Sequence, residues 1–136
     1  MIYTGLVYFI AYLIFSLVFL RERFMVDGGY MIFEMANTKT YPGAQNRYII
    51  WVLNILPVSA INLSLPLKTV MISWIVNYTL FYAICFYMVL LVFKDKYSAW
   101  FILFINLFVL GSGFFNIADE ITPSATMAIV LFSMLR

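Results

Sequence analysis

The sequence predicts an all-α polytopic membrane protein with three to four transmembrane helices and one or two interfacial helices in a long first loop. Three observations carry this. The chain of 136 residues is 65% hydrophobic and only 10% charged, whereas a soluble domain carries about 25% charged residues. Its mean hydropathy is +1.01. Its charges lie in polar connections that separate apolar runs, several of them about as long as a bilayer is thick.

The first run, Ile2–Leu20, is free of charge and would extend about 28 Å as a helix. A secretory leader has a shorter apolar stretch, roughly 7–15 residues, behind a basic start. Neither feature is present, so the run is read as a retained span that Arg21-Glu22-Arg23 ends. Residues 21–68 form the first loop. Their second half, Ile49–Leu67, is apolar, but Pro57 and Pro66 argue against a regular helix through it. Arg47, Asn54 and Asn62 recur at steps of seven and eight and so share one helical face, as expected of a segment lying at the membrane surface. A shorter face sets Tyr30, Glu34 and Thr38 against Met31 and Met35. Asn37 to Asn46, with Pro42-Gly43, reads as the turn between the two surface helices.

Residues 69–93 form a second span, about 37 Å long, which Lys94-Asp95-Lys96 closes as a tight charged turn. Residues 99–115 return as a short third span. After Asn116–Pro123, the run Ser124–Leu135 reaches only about 18 Å, and extending it back to 121 adds little. That shortfall predicts a single helical module, 1–136, that is the N-terminal fragment of a longer chain. Basic residues in the short 94–97 turn place it and the N-terminus on the inner face. Asp27 and Asp119-Glu120 then share the outer face.

Composition also excludes chemistry. With no histidine, there is no imidazole base, histidine-ligated zinc or Ser-His-Asp triad. One cysteine, Cys85, permits neither an intrachain disulfide nor a CxxC pair and reads as an apolar filler. A net charge of +2, spread along the chain, offers no nucleic-acid footprint. Asn77, Asn106 and Ser112, inside spans, are expected to bond to neighbouring helices. Three carboxylates follow outward-going spans: Asp27, within Val26-Asp27-Gly28-Gly29-Tyr30, and Asp119 with Glu120. Carboxylates at such a rim serve as general bases or as hard ligands for a divalent cation. The glycines after Asp27 would let backbone approach a ligand, and the Arg47 guanidinium suits a phosphate or a lipid headgroup.

With Asp27-Gly28-Gly29-Tyr30-Met31-Ile32-Phe33, Asn46-Arg47-Tyr48 and Ile55-Leu56-Pro57 in place, the layout resembles the N-terminal part of the GT-C superfamily of polytopic glycosyltransferases. Those enzymes have a first span, a long extracytoplasmic loop with two juxtamembrane helices and an early acidic residue. Many have a second acidic motif between the third and fourth spans. The resemblance implies transfer of a sugar from a lipid-linked donor at the outer face of a bacterial inner membrane. It implies Asp27 as the catalytic base, Arg47 on the donor phosphate, and Asp119 and Glu120 around Mg or Mn. The adjacent Asp-Glu departs from the acid-x-acid spacing of several members. Implied partners are membrane lipid, the lipid-linked donor, and further spans of a longer chain or partner membrane helices. The rival reading is a small non-enzymatic accessory subunit or lipid-carrier protein.

Overall fold

The structure, a computed structural model, describes residues 1–24, 27–40, 48–108 and 121–136, without the side chains of Asp27, Tyr48, Ile50 and Phe108. The described elements are helices: α1 (Ile2–Val18), α2 (Asp27–Thr38), α3 (Tyr48–Leu53), α4 (Ile55–Asn62), α5 (Leu67–Tyr87), α6 (Lys96–Phe108) and α7 (Ile121–Leu135). A 3-10 turn, Glu22–Phe24, follows α1, and a π-helical turn, Met88–Val92, continues α5.

Boundaries differ from the sequence expectation for local reasons. Pro66 caps α5, whose helix starts at Leu67 and takes Lys68 into its first turn rather than opening at Thr69. Pro123 sits in the first turn of α7, where a missing N–H costs little, and the helix opens at Ile121. Pro57 likewise lies in the first turn of α4. The break in the 48–62 segment falls instead at Asn54, which is 2% exposed. The expected polar stripe of Arg47, Asn54 and Asn62 therefore does not form as one face. Asn54 is buried at the junction of two helices, Asn62 is exposed, and Arg47 lies outside the described residues. Where α4 ends, Ser64 takes a left-handed φ of 55°, its N–H reaches Ile61 O, and Leu65 N–H reaches Ala60 O. This paired closure turns the chain back into α5.

α5 is the hub, packed by α1, α4, α6 and α7. Aromatic pairs fix α1 antiparallel to it: Phe9–Phe86 at 5.7 Å between ring centroids, Tyr12–Tyr82 at 6.5 Å, and Phe24–Trp74 at 5.3 Å. Each such pair adds about 0.5–1.5 kcal/mol beyond area burial. At Gly5 a Cβ would overlap the Phe86 ring, so the closest approach of α1 to α5 depends on its absence. The α3–α4 segment runs beside the first half of α5, where Asn77 Nδ2 donates to Val52 O at 2.9 Å. The turn at 93–95 reverses the chain into α6, and α7 returns along α6, with Ser133 and Arg136 beside Lys94–Tyr97. Thus Met1, residues 88–97 and Arg136 mark one end of the bundle, here the basic end. α1 and α6 run away from it, and α5 and α7 run towards it.

Among the described helices one, Leu67–Val92, with 26 residues, is long and apolar enough to cross a membrane; α1 and α7 are apolar but shorter. Large apolar side chains lie exposed on α1 (Tyr3, Val7, Ile10), α5 (Leu80, Ile84), α6 (Phe101, Phe104) and α7 (Leu131, Phe132). Buried positions include Ser16, Arg23, Asn54, Thr79, Asn106, Thr126 and Ser133.

Candidate functional site

Arg23 is the most unusual interior group: a guanidinium 1% exposed. The 3-10 turn after α1 folds it back over the helix that precedes it. Its Nη1 donates to Ser16 Oγ, its Nη2 donates to Tyr12 Oη at 3.2 Å, and its Cζ lies 5.4 Å from the centroid of the Tyr12 ring. Ser16 and Tyr12 are one turn apart on a single face of α1 and accept the two branches of the fork in sequence. Tyr12 in turn packs on Tyr8 and Tyr82, and Tyr82 on Tyr78. Trp74 closes the cluster against Phe24 and Tyr78; it is fully buried, and its indole N–H has no partner among the described residues. The cluster is rich in donors, from guanidinium, phenol and indole. That chemistry suits an anionic oxygen.

The surface at this end of α1 carries a cleft of about 420 Å³ between the end of α1 and the start of α5. Arg21, Glu22 and Lys68 supply its charges, and Leu17, Leu20 and Met71 its apolar floor. Two cations against one carboxylate give it a positive balance beside an apolar wall, which fits a phosphate attached to a lipid tail. Sequence reasoning assigned Arg21 and Arg23 only to ending the first span. The readable signal was spacing: Tyr12, Ser16 and Arg23 stand four and seven residues apart, as on one helical face.

Of the residues singled out from sequence, Asp27 opens α2 and its side chain lies outside the described residues, as do Arg47, Asp119 and Glu120 entirely. Their approach to one another is therefore not among the described contacts. Their neighbours are placed. α1 leads towards Asp27 at the end opposite the basic end, and Ile121, next to Glu120, opens α7, which runs back from that direction. At about 1.5 Å per residue, α6 and α7 rise about 20–22 Å, whereas Leu67–Val92 rises about 39 Å. Phe108 and Ile121, at the edges of the described residues, therefore lie near the middle of α5. No group of three His, Cys, Asp or Glu able to hold a metal occurs among the described residues.

Two sequence expectations take a different form. Gly29 accommodates the chain itself rather than a ligand, since a Cβ there would stand 2.8 Å from Phe24 O. Asn77 bonds across to α3, whereas the Nδ2 of Asn106 donates to Ile102 O one turn back on its own helix. Ser112 lies outside the described residues. Comparison with protein families, curated proteins and solved structures finds no match to this chain.

Proposed function

We propose that the chain is the N-terminal part of a polytopic membrane glycosyltransferase that takes a sugar from a lipid-linked donor. The observation that carries this reading is the alternation of α1, α5, α6 and α7. It sets the helix ends next to both acid-bearing stretches, Val18 of α1 and Phe108 and Ile121 of α6 and α7, away from the basic end. The apolar outward faces of these helices support burial in a bilayer, because water would not solvate them while Arg23, Asn54 and Thr126 are withdrawn inside. The cleft of Arg21 and Lys68 supports recognition of a donor phosphate beside its lipid tail. In this reading Asp27 deprotonates the acceptor, Arg21 and Lys68 join Arg47 on the donor phosphate, and Asp119 and Glu120 orient the acceptor or hold a divalent cation.

Transfer measured in membranes from cells making the full-length protein tests this. A general base contributes about 10²–10⁴ in rate, so Asp27→Asn should lower transfer by that factor while membrane insertion is unchanged. Undiminished transfer by Asp27→Asn, with Asp119→Asn and Glu120→Gln equally active, would remove the enzymatic role and leave a non-enzymatic accessory subunit.

A further inference from the structure

The basic end holds a second arrangement that the transfer reading does not use. Between the 93–97 turn and the last turn of α7 lies a cavity of about 330 Å³. Lys94, Lys96 and Arg136 stand around it, against one carboxylate, Asp95. That carboxylate is already committed: its Oδ1 accepts from Tyr97 N–H at 3.1 Å and Ser98 N–H at 3.2 Å, and its Oδ2 accepts from Ser98 Oγ at 2.7 Å. Three cations against that one carboxylate leave the cavity with a positive balance. Ser133 also lines the cavity; it is 5% exposed, and its hydroxyl has no hydrogen-bond partner among the described residues. A buried hydroxyl with unused donor capacity beside three cations fits an anionic oxygen ligand.

A second observation identifies the rest of that ligand. Next to the cavity lies an apolar groove of about 520 Å³ between α6 and α7, walled by Phe101, Ile129 and Phe132. Tyr97 and Arg136 border both spaces. Phosphate chemistry at the helix ends, adjoining an apolar groove through Tyr97 and Arg136, has the polarity of one amphiphile. A free phosphate would use the cavity and leave the groove empty.

We propose that the basic end of the bundle is a binding site for an anionic glycerophospholipid, its phosphate among Lys94, Lys96, Arg136 and Ser133 and one acyl chain in the α6–α7 groove. The site is independent of the sugar-transfer reading and lies at the opposite end of the molecule from the Arg21–Lys68 cleft.

Native mass spectrometry of the full chain in detergent tests the site, using dioleoyl-phosphatidylglycerol and dioleoyl-phosphatidylcholine in equal amounts. Retention of phosphatidylglycerol should exceed that of phosphatidylcholine by about fivefold for each basic residue engaged. Lys94→Gln, Lys96→Gln and Arg136→Gln together should bring the two lipids to equal retention. Should that triple variant fail to fold, Lys96→Gln and Arg136→Gln singly should each lower phosphatidylglycerol retention by about fivefold. Ala128→Trp, which fills the groove without touching a charge, should also lower it. Equal retention of the two lipids by the unaltered protein would overturn the proposal, and so would undiminished phosphatidylglycerol in the charge variants. Displacement of phosphatidylglycerol by equimolar inorganic phosphate would assign the cavity to free phosphate and overturn the lipid reading.

Discussion

Gly5 and Arg23 show how single residues set the contact between α1 and α5. Because the Phe86 ring occupies the space where a Cβ at Gly5 would stand, and that ring is fully buried by its neighbours, it has no room to retreat. Gly5→Ala should therefore destabilise the protein by about 1–3 kcal/mol through overpacking, outweighing alanine's better helix propensity of about 1 kcal/mol. A raised melting temperature in detergent would contradict this. Arg23 depends on the shape of its side chain as much as on charge: one planar fork reaches Ser16 and Tyr12 while lying over the Tyr12 ring. A lysine ammonium is a point donor and cannot reproduce that set. Arg23→Lys should cost about 1.5–3 kcal/mol, the range for hydrogen bonds to charged groups, and an unchanged melting curve would show that the fork anchors nothing. Gly5 carries no signal in the sequence, and Arg23 carries only its spacing from Tyr12 and Ser16. Gly5 is one small residue in an apolar run, and Arg23 is the last of three charges that look alike until the 3-10 turn folds one inward.

At the scale of elements, the Asp95 cap explains why the charged 94–97 turn reverses the chain so tightly. Lys94 takes a left-handed φ of 57°, and Asp95 then caps the start of α6 through Tyr97 and Ser98. The Ser98 hydroxyl and N–H, ahead of the more distant Arg136 and the Tyr97 N–H, hold the Asp95 carboxyl below its ordinary value. Because the folded value is the lower one, the carboxylate stabilises the fold above the unfolded value of about 4, and that stabilisation is lost as pH falls through the folded value. Asp95→Ala should lower the melting temperature at neutral pH. Asp95→Asn, which keeps an acceptor for the cap, should lower it less. Both differences should shrink once the pH is well below 4, and a difference that grew on acidification would contradict the assignment. The turn itself was legible from Lys94-Asp95-Lys96, as were the positions of the longest apolar runs. The break at Asn54 was not, because periodicity over 47–62 treats the segment as one continuous helix. Two prolines drew attention as breakers, yet each sits where a helix tolerates it, one in a first turn and one at an N-cap.

For the molecule as a whole, the alternation of α1, α5, α6 and α7 could be anticipated by counting apolar runs, because successive helices that cross one layer must alternate in direction. The depth of the α3–α4 segment could not. A surface helix and a helix lying alongside the first half of α5 have the same composition; packing separates them, with Leu53, Val58 and Ala60 buried and Asn77 bonded to Val52 across 25 residues. The candidate carboxylates were chosen from topology alone, and topology specifies the helix ends they follow, not their approach to one another. The membrane reading makes a demand that packing alone does not. Lys68, in the first turn of α5, and Lys94, beyond its π turn, are both exposed and are separated by the one described helix long enough to cross a bilayer. In sealed membrane vesicles, Lys68→Cys and Lys94→Cys should therefore react with an impermeant maleimide from opposite sides, once Cys85 has been replaced by alanine. Lys39→Cys, which follows α2 in the first connection, should label with Lys68→Cys. Opposite-sided labelling would make α5 a span and carry α1, α6 and α7 into the bilayer with it, since their apolar outer faces pack around the same hub. Reaction of Lys68→Cys and Lys94→Cys from the same side would leave α5 uncrossed and remove the reading of this bundle as membrane-spanning.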